Sequence, residues 1–204
     1  YEPQYQYESV PEEFVPIVDS AARARSTLEE QVLERFKPHL GKTVSELHAA
    51  LGDGLNVESY DYFARLARRM VGVRGQEIEE FEKAEILMKS VQIRSDGMPK
   101  EHMSFPYFKF REVVKEDWDS DGEDSEVPAS TFREQLEKRF LFVVFQCSDK
   151  CKPGDEKRFA KAFFWTMPQE ILEKEVRPVW TATIAAVKAS DEDAFPKSTE
   201  SRVA

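Results

Sequence analysis

Three observations predict an α/β fold of the mixed α+β kind, with a central mixed sheet flanked by helices. Residues 28–71 show helical periodicity opened by capping boxes. Beyond residue 84 the pattern shifts to strand-like segments at 85–93, 103–114, 140–145 and 158–166. The run Phe140-Leu141-Phe142-Val143-Val144-Phe145 is apolar on both faces, as a central strand covered on both sides must be.

Composition fits this. The 204 residues are 41% hydrophobic and 12% aromatic, which is globular and long enough for one domain with a core. The 15 Phe favour a sheet-containing core. No apolar run approaches the roughly 20 residues of a membrane span, and no secretory signal is visible. No membrane partner is expected. Cys147 and Cys151 are the two cysteines, and so few fit a reducing, cytoplasmic compartment. The formal net charge of −10 argues against indiscriminate nucleic-acid binding, because phosphate neutralisation supplies most non-specific affinity. Any such binding needs a local basic surface.

Taken in order, residues 1–24 have no period and read as a leader or linker, and a start at Tyr1 rather than Met reads as a fragment. The folded domain spans 25–188. Ser26-Thr27-Leu28-Glu29 is a capping box opening a helix with Leu28, Val32, Leu33 and Phe36 on one face, ended by Pro38 and Gly41. Thr43-Val44-Ser45-Glu46 is a second box, and its short helix stops near Gly52. A third helix, 58–71, sets Tyr62, Phe63, Leu66 and Met70 against Arg65, Arg68 and Arg69. The strand 85–93 precedes a Ser95-Asp96-Gly97 turn, and 103–114 reads as another strand. An acidic loop fills 115–130, a short helix 130–138, and a polar loop 147–157. Pro168 starts a helix to about residue 188, with a break at Pro178, and 189–204 reads as a loose tail.

Several side-chain groups point to chemistry. Arg65, Arg68, Arg69 and Arg74 form the densest basic cluster. It reads either as a phosphate-contacting face or as a solvated helix face paired with Glu58 and Asp61. Lys150, Lys152, Lys157, Arg158 and Lys161 lie on or beside a loop between two strands, with Asp149, Asp155 and Glu156 partly cancelling them. Lys37, Lys42, Lys109 and Arg111 are weaker candidates. Cys147 and Cys151 are read as free thiols, since a zinc site needs four ligands and the histidines are distant in sequence. Asp117-x-Asp119-x-Asp121-Gly122 begins like a Ca²⁺ loop, but Pro128 stands where the closing Glu belongs, so it is read as a solvated loop. Trp165 and Trp180 are read as core anchors. No metal site is expected.

The stretch Glu80-Phe81-Glu82-Lys83-Ala84-Glu85-Ile86-Leu87-Met88-Lys89 resembles the catalytic segment of the MutH-like family of PD-(D/E)xK nucleases. In that pattern Glu80 takes the upstream acidic position, Leu87 the glutamate position and Lys89 the lysine. The resemblance extends to Phe36-Lys37-Pro38-His39-Leu40-Gly41-Lys42-Thr43, to Arg94-Ser95-Asp96-Gly97-Met98-Pro99, to Phe140–Gln146 and to Phe163-Phe164-Trp165-Thr166-Met167-Pro168. It implies a restriction-endonuclease-like fold. A leucine cannot ligate Mg²⁺, which takes oxygen ligands, so the site Glu80, Leu87, Lys89 is degenerate.

The chain therefore resembles the C-terminal, non-catalytic MutH-like domain of a GATC-specific type II restriction endonuclease. This implies an allosteric effector role. Its expected partners are double-stranded DNA, the catalytic N-terminal domain of the same enzyme, and a second copy of itself on DNA. No cofactor is expected for this domain, and Mg²⁺ for the parent enzyme. The DNA-contacting set comprises Arg65, Arg68, Arg69, Arg74, Lys89, Lys150, Lys152, Lys157, Arg158 and Lys161. Two alternatives remain open: an active Mg²⁺-dependent endonuclease using Glu80, Glu85 and Lys89, and a module for dimerisation only.

Overall fold

Thr27 is the N-cap of the first helix, α1 (Leu28–Phe36). Its hydroxyl accepts a hydrogen bond from the Glu30 amide, and the Glu30 carboxylate accepts one from the Thr27 amide. The box lies one residue later than expected, because the sequence offers both a Ser26–Glu29 and a Thr27–Glu30 frame and the second is used. The computed structural model describes residues 27–75, 78–122, 126–152 and 154–189. Ser26, the leader at 1–24 and residues 190–204 of the tail lie outside them.

The described residues form two compact units, one within residues 27–102 and 140–165, the other within residues 103–139 and 166–189. In the first, α1 passes through a 3₁₀ turn at Lys37–His39, with Pro38 early in that turn where its missing N–H costs nothing, into α2 (Val44–Leu51). The Thr43–Glu46 capping box is present in both directions. α3 runs Tyr62–Met70. It starts later than the expected residue 58 because the Asn56 side chain accepts from the Glu58 amide and holds a turn there. A short α4 (Glu79–Lys83) leads into β1 (Ile86–Ile93). Between them Glu85 adopts φ +50°, a left-handed conformation rare outside glycine.

β2 (Arg139–Cys147) lies between β1 and β3 (Lys157–Trp165), as its two-sided apolar run predicts. β2 and β3 are antiparallel, with Phe140 opposite Trp165 and Val144 opposite Lys161. The register then slips, so that Phe145 faces Phe159 and Gln146 faces Arg158, leaving Ala160 surplus in a bulge.

Helices cover one face of this sheet. Ile86, Leu141, Val143, Phe145 and Phe159 join Val32, Phe36, Leu47, Leu66 and Met70 in the buried core, with Met88, Ala162 and Phe164 packed against it. Phe63 of α3 meets Phe145 edge-on at 5.0 Å. Burying a phenylalanine of this kind contributes about 1.5–3 kcal/mol.

The second unit has its own small core of Trp118, Leu136 and Leu172, with Phe105, Phe132, Met167, Val176 and Trp180 around it. It contains α5 (Phe110–Val113), α6 (Thr131–Glu137), α7 (Gln169–Ile171), a π turn at Leu172–Val176 and α8 (Arg177–Ala189). The expected strand at 103–114 is not formed. Pro106 removes a ladder donor, and Tyr107, Phe108 and Phe110 are all exposed, so the aromatic alternation marks no buried face. The expected break at Pro178 is instead the π turn just before it, which accommodates the N–H that proline lacks. The overall class is the α/β one expected, consistent with a restriction-endonuclease-like fold.

Candidate nucleic-acid interface

Side chains alternate along β1. Ile86 and Met88 join the helix-covered core, so Leu87 and Lys89 project from the opposite face of the sheet. The same reasoning places Phe140, Phe142, Val144 and Gln146 of β2 on that face. Through the pairing register, Trp165, Phe163, Lys161 and Arg158 of β3 follow them. The face is aromatic and cationic. Phe140 and Phe142 stack at 5.6 Å, Phe142 lies 5.5 Å from Phe163, and the Lys161 ammonium sits 4.9 Å over the Phe163 ring. Trp165, an expected core anchor, packs on Phe140 and Phe142.

Lys89 is half-buried, and desolvation lowers its pKa. Leu87 beside it is also half-buried and brings no oxygen donor. Glu80 is on α4, and Glu85 lies outside β1 at its left-handed entrance. The position beside the lysine thus holds hydrocarbon, whereas Mg²⁺ demands a near-ideal shell of oxygens.

The structure divides the expected basic residues. Arg158 and Lys161 share the Lys89 face, and the bulge at Ala160 is what aligns them. Lys157, opposite Cys147, points the other way and donates to the Asp155 carbonyl. Arg158 is ion-paired to Glu156 and donates to the Gly41 carbonyl. Lys150 and Lys152 are exposed on the intervening loop.

Arg65, Arg68 and Arg69 are on α3, which packs on the helix-covered side of the sheet. They do not form one patch with Lys89 and Lys161. Burial lowers the pKa of Arg68 most, with Arg65 adding to the effect and Asp61 opposing it. Burial likewise lowers Arg69, helped by Arg74 and Arg65. Among the described residues no carboxylate comes within ion-pair distance of Arg65, Arg68 or Arg69, so the pairing with Glu58 and Asp61 is not made. Arg69 does donate to the Asp53 carbonyl at 3.4 Å. Of the weaker candidates, Lys37 and Lys109 are ion-paired to Glu34 and Glu112.

The cysteines are corrected. Cys147 and Cys151 form a disulfide rather than two free thiols. The chain reverses within four residues through Cys151 at φ +58°, which brings the Cα atoms to 5.2 Å, inside the range a disulfide spans. Cysteine spacing alone carries no signal of that reversal. The acidic loop, expected to be solvated, is partly tied down: Asp117 accepts from the Asp119 amide, and Asp119 pairs with Arg177 of α8. Among the described residues, no group of three or more His, Cys, Asp or Glu is placed to hold a metal ion, and no helix is long and apolar enough to cross a membrane.

No protein-family model matches the chain. The type II restriction enzyme Sau3AI of Staphylococcus aureus is 32% identical over an alignment of 174 residues that covers 79% of this chain and 33% of that enzyme. The chain thus spans about a third of the length of the curated relative it matches. It is a partial homologue of a type II restriction enzyme.

Proposed function

We propose that this chain is a catalytically inactive, DNA-binding effector domain of a type II restriction enzyme that recognises GATC in double-stranded DNA. One observation carries the proposal: Leu87 stands on the Lys89 face of β1, where a working nuclease of the PD-(D/E)xK kind has a carboxylate. Without that ligand this position would not hold Mg²⁺ against a phosphate and stabilise the charge that develops there. The parent enzyme would draw its Mg²⁺ chemistry from a separate catalytic N-terminal domain.

Binding chemistry would remain. The α3 guanidiniums, with no carboxylate within ion-pair distance among the described residues, suit phosphate oxygens, although Asp61 and Asp53 act on Arg68 and Arg69 from further off, and Lys150, Lys152 and Lys161 offer further positive charge. Occupation of this domain by a second copy of the site would favour a looped or dimeric state in which the catalytic domain cuts. That is coupling between sites rather than chemistry at this one.

The test is a titration of labelled GATC and scrambled duplexes at two salt concentrations, with and without Mg²⁺, beside a plasmid-cleavage assay. Salt-dependent binding without cleavage is the expected result. Cleavage that is lost in Lys89→Ala would overturn inactivity and favour a rearranged site using Glu80 and Glu85. The net charge of −10 favours a second reading, dimerisation alone. Absence of any salt-dependent affinity would overturn DNA binding, and a concentration-dependent dimer in sedimentation equilibrium would then support this second reading.

A further inference from the structure

The loop between β2 and β3 is closed into a small covalent ring. Cys147 ends β2 and is 2% exposed; Cys151, bonded to it, is 4% exposed. Cys151 adopts φ +58°, a conformation that a residue with a Cβ keeps only when its surroundings enforce it. One hydrogen bond and one van der Waals contact tie the ring to the exit of β1. The Ser95 amide donates to the Asp149 carbonyl at 3.0 Å, and Cys151 Sγ lies 3.4 Å from the Ile93 carbonyl oxygen. Lys150 is inside the ring and Lys152 directly follows it, both exposed. A cleft of about 200 Å³ lined by Gln146, Cys147, Ser148, Glu156 and Arg158 reaches as far as Cys147.

We propose that the Cys147–Cys151 disulfide is a redox latch that orders the basic loop and so sets how strongly the chain holds a phosphate backbone, a proposal that rests on the DNA-binding reading above. In the oxidised form the ring holds Asp149 and Cys151 against the exit of β1 and so restricts the backbone that carries Lys150 and Lys152. A dithiol reductant transfers two electrons and two protons to the pair. The S–S bond breaks, two thiols form, and the reductant closes into its own cyclic disulfide. Released from the ring, Cys151 can leave the left-handed region, and the two lysines lose their fixed positions.

The test compares the air-oxidised chain, the same chain in dithiothreitol, and a Cys147→Ser, Cys151→Ser double variant. Alkylation and mass measurement count the thiols in each. Hydrogen exchange reads loop order over 148–156, and a labelled duplex titrated at several salt concentrations reads phosphate affinity. The expected result is faster loop exchange on reduction, with a salt slope lower by roughly two, one for each lysine that no longer meets a phosphate. Unchanged exchange overturns the latch whatever the duplex does, as does a chain whose thiols stay free under air. Faster exchange with an equal slope in both states overturns the coupling alone. Affinity absent in both states overturns the DNA-binding reading from which the coupling is drawn.

Discussion

Leu87 and Lys89 share one face of β1, and it is the face turned away from the helix-covered core. An ammonium that would steady an attacking water therefore stands beside an isobutyl group. Replacing Leu87 by Glu restores a carboxylate there. With Mg²⁺ at about ten times its dissociation constant, the variant is expected to melt about 3 °C higher than without it, from roughly 1.4 kcal/mol of linkage. The unaltered chain is expected to show no such difference. An equal Mg²⁺-dependent rise in both proteins, read by differential scanning calorimetry, would show that the leucine is not what excludes the ion.

The α3 arginines bear on affinity rather than chemistry. Arg65→Ala, Arg68→Ala and Arg69→Ala are each expected to weaken duplex binding equally for GATC and scrambled sequences. Each should lower the salt slope by about one, the signature of one phosphate no longer neutralised. Slopes identical to the parent chain in all three would move the interface to the Lys89 face.

Gly52 ends α2 at a point with no room for a side chain. A Cβ built there would sit 2.6 Å from the His48 carbonyl oxygen, so the backbone itself must shift. Gly52→Ala is expected to destabilise the chain by about 1–3 kcal/mol, as overpacking does. Urea unfolding would measure it, and an unchanged midpoint would refute the crowding.

Glu173 ties together the second unit. Its carboxylate accepts from the Trp118 indole at 3.2 Å, from Gln169 at 3.2 Å and from Arg177 at 3.0 Å. The Arg177 guanidinium first, and the Trp118 N–H second, hold its pKa below the ordinary 4.5. A depressed value in the folded state means that the stabilisation is present above pH 4.5 and is lost as pH falls through the folded value. Thermal melts followed by tryptophan fluorescence from about pH 5 to about pH 3 should fall more steeply for the parent chain than for Glu173→Gln. Parallel curves would show that the carboxylate's charge does not matter.

What could be read from residue order was local. The Thr43–Glu46 box, α6 and the two-sided run of β2 follow from patterns a few residues wide, and each is present. The segment 103–114 misled because its aromatics alternate without a partner strand, and Pro106 cannot donate to one. The division of the basic residues was not legible either. Helical spacing groups Arg65 with Arg68 and Arg69, but only the packing of Phe63 on Phe145 shows which side of the sheet they occupy. The disulfide was hidden for the same reason, since it depends on a left-handed turn at Cys151 that no spacing rule encodes.

The surplus Ala160 has a consequence for how this chain tolerates change. Arg158 and Lys161 are an odd number of positions apart, so an unbroken strand would aim them in opposite directions. The extra alanine resets the phase and lets both cations look the same way. Flattening the bulge with every residue kept would swing Arg158 into the oily interior and Phe159 out into water, whereas deleting the alanine would leave Arg158 and Lys161 two positions apart and still on one face. A backbone irregularity at one unremarkable position, rather than side-chain identity, governs the polarity of that strand.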